Sequence, residues 1–223
     1  MSEFPWIANY PTGIPAKIEE NQPNSVLELL RDAFQKFGSR EAFENMGKSL
    51  TFQQIDQLSD FFAAYLQYEL KLVKGDRIAI QMPNCLQYPI VLVGALKAGL
   101  TVVNTNPLYT PREMEHQFKD AGAKAIVIVA NFARHLEEVI KTTSIEHVIV
   151  TELGDLLGAL KGGIVNFVVK RVKKMVPTYN LPNAVKLKDV LKKGARMKFT
   201  SPDISGEDLA FLQYTGGTTG VSK

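Results

Sequence analysis

The sequence predicts an α/β fold: a parallel sheet built from βαβ units, with helices on both faces. Two observations carry this. Between Arg77 and Val150, short apolar runs alternate with stretches of helical periodicity, and strands separated by helices need crossovers that make the sheet parallel. The run Ala125-Ile126-Val127-Ile128-Val129 contains no polar position, as a strand covered on both faces requires.

Taken in order, the elements begin with a helix that Ser25 opens. Glu28 completes a capping box, and Gly38 is the stop signal. Val26, Leu29, Leu30, Ala33, Phe34 and Phe37 recur at helical spacing and predict its buried stripe. A hairpin follows, turning at Met46-Gly47. Thr51 and Gln54 form a second capping box for a helix to about Leu70, with Phe52, Ile55, Leu58, Phe62 and Leu66 on its apolar face. Then come a strand over Arg77–Met82, a helix over Leu86–Ala98 and a strand over Leu100–Asn104. Thr110-Pro111-Arg112-Glu113 is a helix start with Pro at the first helical position, and Gly122 ends that helix. A strand over Lys124–Val129, a helix over Phe132–Lys141 and a strand over His147–Val150 complete the alternation. Met82-Pro83-Asn84 and Asn104-Thr105-Asn106-Pro107-Leu108-Tyr109-Thr110 leave their strands at the carboxyl edge, where open α/β sheets bind ligands. Ordinary strand-to-helix turns are the alternative reading of both.

Composition bounds the class. The 223 residues are 45% hydrophobic and 22% charged, ordinary for a soluble globular chain. Cys85 is the sole cysteine, so no intrachain disulfide forms, and a reducing cytoplasm is the expected compartment. The three histidines and one cysteine show no metal-ligand spacing. Neither a signal peptide nor an apolar run of membrane-spanning length is visible.

Net charge of +3 hides an asymmetry. Between Leu156 and Thr200 lie eleven of the 26 bases but only one of the 23 acids, Asp189. Such local excess suits an anionic surface or ligand. Within it, Ile164, Val165, Val168, Val169, Val172, Met175 and Val176 fall on one helical arc, with Asn166, Lys170, Lys173 and Lys174 opposite. Two readings stay open for this predicted Lys161–Val176 helix. Either it packs its valines on the core with solvated lysines outside, or it lies on an anionic membrane through Lys170, Arg171, Lys173 and Lys174. No aromatic interleaving or recognition motif points to nucleic acid.

The residues richest in chemical implication are Tyr214-Thr215-Gly216-Gly217-Thr218-Thr219-Gly220-Val221-Ser222-Lys223. They follow the apolar run Leu209-Ala210-Phe211-Leu212, which reads as a strand delivering a hydroxyl-rich loop. Glycine permits close backbone approach to a ligand. Successive backbone N–H groups form an anion-binding concavity, threonine hydroxyls add donors, and Lys223 adds a mobile positive charge. The spacing is not that of a P-loop NTPase, because Val221 and Ser222 separate Gly220 from the lysine.

This stretch closely resembles the phosphate-binding loop of the acyl-adenylate-forming enzymes: acyl-CoA synthetases, firefly-type luciferases and peptide-synthetase adenylation domains. Their usual loop reads Tyr-Thr-Ser-Gly-Thr-Thr-Gly-x-Pro-Lys, and this chain departs from it at Gly216 and Ser222. The double glycine, the Asn106–Glu113 stretch and Ile164-Val165-Asn166-Phe167-Val168-Val169-Lys170 resemble bacterial long-chain fatty acyl-CoA ligases. The likeness runs from about Tyr10 to Lys223. It implies a partial amino-terminal domain over 1–223, ending on the phosphate-binding loop, with the carboxy-terminal domain absent. It further implies ATP with Mg²⁺, and coenzyme A and a fatty acid as co-substrates. Thr218 and Thr219 would bond the β- and γ-phosphates, the glycine amides would cradle them, and Lys223 would offset the charge of departing pyrophosphate. No catalytic or metal-ligating residue is assigned within the chain, so the chain alone is expected to be inactive. A non-catalytic anion-binding or membrane-surface α/β module is the alternative. Peripheral contact with the inner face of the membrane fits either reading.

Overall fold

The computed structural model describes residues 4–17 and 23–215. Its centre is a six-stranded, wholly parallel sheet. The strands are β3 (Arg77–Gln81), β4 (Thr101–Asn104), β5 (Ala125–Val129), β6 (His147–Thr151), β7 (Val185–Lys186) and β8 (Phe211–Gln213), in the order β7-β6-β5-β3-β4-β8. A separate antiparallel hairpin joins β1 (Glu41–Asn45) to β2 (Lys48–Thr51). Its turn residues Met46 and Gly47 both have positive φ, 52° and 70°, as a two-residue hairpin turn demands.

Helices α1 (Val26–Phe37), α2 (Phe52–Tyr68), α3 (Gln87–Lys97) and α7 (Leu187–Gly194) cover one face of the sheet; α4 (Pro111–Ala121) and α5 (Ala133–Val139) cover the other. The alternating strand pattern explains the two cores. Ile78 and Ile80 of β3 point into the first, and Ala79 into the second. Every residue of β5 is buried, as its uninterrupted apolar run predicts. Lys97, 3% exposed, ties α3 to α2 through the Asp60 carboxylate at 2.6 Å and the Asp56 carbonyl at 2.8 Å.

Both predicted caps on α2 and α4 form complete capping boxes. At α1, Ser25 accepts from the Glu28 N–H, but the Glu28 carboxylate accepts from Asn24 N–H rather than from Ser25. The predicted stripe of α1 also needs correction. Leu27 and Phe34 are its buried residues, whereas Val26 and Leu29 are 43% and 56% exposed. Leu27 lies on the arc shared with Leu30, Phe34 and Phe37, and the rings of Phe34 and Phe37 meet Phe52 of α2.

The basic segment departs furthest from expectation. It forms α6 (Ala159–Phe167), then a π-helical turn over Val168–Val172, and ends with Lys174 at φ 51°. Of the predicted arc, Val165 and Val176 pack against the cores, but Ile164, Val172 and Met175 are 57%, 61% and 55% exposed. Only part of the arc therefore packs inward, and two other contacts help to seat the helix. The Gly162 backbone lies against the Gly154 carbonyl, so closely that a β-carbon at Gly162 would overlap it. Asn166 Oδ1 accepts from Gly154 N–H at 2.7 Å, while its amide donates to Asp155 Oδ1 at 3.3 Å. Strand β7 and helix α7, both within the same basic stretch, are additional elements that the sequence reading did not resolve.

Candidate functional site

The chain leaves β3 into α3 on one face of the sheet and leaves the adjacent β4 into α4 on the other. Neighbouring strands whose crossovers diverge in this way open a crevice outside their carboxyl ends. That crevice is present here. It lies among Met82, Asn84, Tyr88, Asn104, Asn106 and Tyr109, and it extends to Glu113, Gln213 and Tyr214. Both carboxyl-edge turns singled out in the sequence, Met82–Asn84 and Asn104–Thr110, thus meet at one place. Strand β8, beside β4, delivers the start of the glycine–threonine loop to the same edge.

A line of side-chain hydrogen bonds crosses the floor. The Tyr88 hydroxyl donates to Asn104 Oδ1 at 3.0 Å, and the Asn104 amide donates to Gln213 Oε1 at 3.3 Å. Burial pushes the Tyr88 phenol pKa up. Beneath the β4–α4 turn, two buried glutamines hold its carbonyls. Gln117 Nε2 donates to the Asn104 carbonyl at 3.0 Å, and Gln81 Nε2 to the Asn106 carbonyl at 3.3 Å. The oxygen ends of both amides are buried and have no protein hydrogen-bond partner among the described residues. Polar atoms in that condition call for a donor such as an internal water. The turn is further shaped by Asn106 Oδ1, which accepts from Leu108 N–H at 2.9 Å.

Glu113 is the ionisable carboxylate of the lining. Bonds from the Thr110 hydroxyl at 2.7 Å and the Thr110 N–H at 2.8 Å hold its pKa below the usual glutamate value. It caps α4 and is committed to that bond. Amides and phenols therefore dominate the described wall, and no Lys or Arg lines it. Such a wall suits a neutral hydrogen-bonding group.

Of the predicted loop, Tyr214 and Thr215 are within the described residues; Gly216, Gly217, Thr218, Thr219, Gly220, Val221, Ser222 and Lys223 lie outside them. Tyr214 is half-buried against the α4–α5 core, and its hydroxyl donates to Asp120 Oδ2. Burial, then the Asp120 hydrogen bond and charge, raise its pKa strongly. Lys170, Arg171, Lys173 and Lys174 are all exposed, and Lys170 lies 3.8 Å from the Glu152 carboxylate. They sit beside exposed Ile164, Phe167, Val172 and Met175. Among the described residues, no group of His, Cys, Asp or Glu is arranged to hold a metal ion.

Residues 30–223 match the family model described as AMP-binding enzyme. The chain belongs to that family. Its curated relatives include long-chain-fatty-acid–CoA ligases from Salmonella typhimurium, 53% identical over 98% of this chain, and from Yersinia pestis, 54% identical over the same share. A ligase of the same description from Bacillus subtilis is 37% identical over all of it. The chain spans about 39–40% of the length of these relatives. Among solved structures, an anthranilate CoA ligase bound to anthranoyl-AMP superposes with a TM-score of 0.71, at 17% identity, over 90% of this chain and 34% of its own. A long-chain-fatty-acid-CoA ligase from Archaeoglobus fulgidus gives 0.66 at 22% identity, over 94% of this chain and 37% of its own. At those identities the structural likeness shows the fold, and the fold agrees: this AMP-binding family member carries the parallel sheet of its structural neighbours.

The sequence reading found both turns of the crevice but not the cross-links between them. Gln81 and Tyr88 lie in a strand and a helix whose apolar patterning hides them, whereas Gln117 lies among the polar residues of α4. A polar residue at a buried strand or helix position, such as Gln81 after Ile78-Ala79-Ile80, is the signal that could have marked them.

Proposed function

We propose that this chain is the amino-terminal part of an ATP-dependent long-chain fatty acid–CoA ligase that works through an acyl-adenylate. In the first step a fatty carboxylate oxygen bonds to the α-phosphorus of ATP, the α–β bridging bond breaks, and pyrophosphate leaves. In the second, the coenzyme A sulfur bonds to the acyl carbon, the acyl–phosphate bond breaks, AMP leaves, and the thiol proton passes to solvent. The observation that carries the reading is the 53–54% identity to ligases of that description across 98% of the chain. The crevice beside β8 supports it by its place, since open α/β sheets bind ligands outside the carboxyl ends of their strands. On this reading Gly216, Gly217 and Gly220 supply backbone donors, Thr218 and Thr219 supply hydroxyls, and Lys223 meets the departing charge. Mg²⁺ accompanies ATP; no described residue is assigned to hold it.

The deciding experiment is acyl-CoA formation by a full-length ligase carrying this sequence, with fatty acids of graded length. Product is expected, favouring long chains. Its absence with every acid would return the chain to the non-catalytic anion-binding module. The isolated 1–223 chain is expected to show no fatty-acid-dependent pyrophosphate exchange above a no-protein control.

We further propose that Lys170, Arg171, Lys173 and Lys174 contact an anionic membrane, where long-chain acids concentrate. The exposed apolar residues Ile164, Phe167, Val172 and Met175 beside them support this, since interfacial helices combine an apolar face with bases. No helix among the described residues is long and apolar enough to cross a membrane. The protein should co-sediment with anionic vesicles, less so at high salt, because the Debye length shrinks from about 8 Å at physiological salt to about 3 Å at 1 M. A variant with all four bases changed to Gln should bind less. Equal binding by both proteins at low and high salt would remove this role.

A further inference from the structure

Strand β8 has three residues and stands at the edge of the sheet among the described residues. Its ladder with β4 ends at Gln213, so the chain beyond it needs another anchor. One is the bond from Asn104 Nδ2 to Gln213 Oε1 at 3.3 Å. The second is the bond from the Tyr214 hydroxyl to Asp120 Oδ2, across 94 residues of sequence. Asp120 lies in the last turn of α4, where helix electrostatics oppose a carboxylate. Its placement there is poor for the helix alone and makes sense with the phenol as partner. One turn earlier on the same face, Gln117 holds the Asn104 carbonyl at 3.0 Å. A single face of α4 therefore grips the carboxyl ends of both β4 and β8.

We propose that Asp120 and Tyr214 form a clasp that sets where the chain leaves β8, and so positions the residues from Gly216 onward for nucleotide phosphates. Both are positioning residues, acting through the loop. The inference rests on the phosphate-loop reading above. A phenol that must donate has to stay protonated, and burial together with Asp120 keeps Tyr214 so. The clasp fixes Tyr214 against α4 immediately after the end of β8.

The test uses a full-length ligase carrying this sequence and follows fatty-acid-dependent ATP–pyrophosphate exchange. The variants are Tyr214→Phe, Asp120→Ala, their double, and Asp120→Asn, with Thr218→Ala as a control on the loop itself. Each of the first two should raise the KM for ATP about five- to tenfold with kcat changed less than about twofold. The double should be no worse than either single, because they break one bond. Asp120→Asn keeps an acceptor oxygen and should recover most of the loss. Melting curves close to wild type for all variants are expected, since the phenyl ring and the helix remain. An unchanged KM in Tyr214→Phe, additive losses in the double, or no recovery in Asp120→Asn would overturn the clasp. If Thr218→Ala impairs exchange while Tyr214→Phe does not, the clasp fails alone. If Thr218→Ala is inert as well, the phosphate-loop reading fails and the clasp's role with it.

Discussion

Replacing Thr218 and Thr219 together by Ala should lower adenylation by a full-length ligase carrying this sequence by about 10²-fold or more. Each hydroxyl would donate to a charged phosphate oxygen, and such a bond is worth about 1.5–3 kcal/mol. Two of them amount to roughly 3–6 kcal/mol of stabilisation, and about 1.4 kcal/mol is a tenfold change in rate. The distribution of the loss between constants is informative. Bonds made equally to bound ATP and to the transition state would raise the KM for ATP alone. Bonds that strengthen as negative charge gathers on departing pyrophosphate would lower kcat. Pyrophosphate exchange at saturating ATP separates the two, and an unchanged kcat with an unchanged KM would reject the hydroxyls' role.

The largest expected effect on stability is at Gly194, the last residue of α7. A β-carbon there would overlap the Phe61 carbonyl oxygen of α2, a backbone atom that cannot swing aside. Helix propensity alone predicts that Gly194→Ala stabilises by about 1 kcal/mol. Overpacking at a backbone contact costs about 1–3 kcal/mol and sometimes more, and moving α7 away would also open the core around Leu187, Val190 and Leu191, all buried. Packing should win, with a net loss of about 2 kcal/mol set by the upper part of that range. Gly163→Ala is the matched control. It is also helical, but no atom lies within 4 Å of the added carbon, so propensity should act unopposed and stabilise by about 0.5–1 kcal/mol. Urea unfolding of both variants should give midpoints shifted in opposite directions. A stabilised Gly194→Ala would refute the close crossing of α2 and α7.

These contrasts show which physical signals a sequence exposes. Ser25, Thr51 and Thr110 were readable as helix starts because a cap is a local bargain among four consecutive residues. The βαβ alternation was readable because burial imposes a period on every strand and helix. The crevice turns followed from the same alternation, since strand ends fall where the period changes. What stayed hidden depends on partners distant in the chain. Asn166 anchors α6 through Gly154 and Asp155, and no periodicity announces such a hub. The apolar arc of α6 was real in the sequence, yet Gly162 and Asn166 decided which side faces the core. Helix α7 shows a different failure. Leu187, Val190 and Leu191 stand at helical spacing, but the surrounding lysines drew attention to charge instead of period. Asp120 is the plainest case: only its contact with Tyr214 gives an acid at the end of α4 a purpose.

The strand order has a consequence for how the chain is made. Strand β4 pairs on one side with β3, its near neighbour in sequence, and on the other with β8, whose Gln213 lies 109 residues beyond Asn104. A ribosome adding about 5–20 residues per second needs on the order of 10 s to cover that distance. Throughout that interval the outer edge of Thr101–Asn104 has no strand to complete it, although both of its faces can already be covered by α3 and α4. Closing so long a loop is also entropically slow compared with the local crossovers. Strand β8, made long after its partner, is therefore the one that pairs this side of β4. Until it docks, the nascent protein exposes at β4 an unpaired edge of the kind that pairs with other chains.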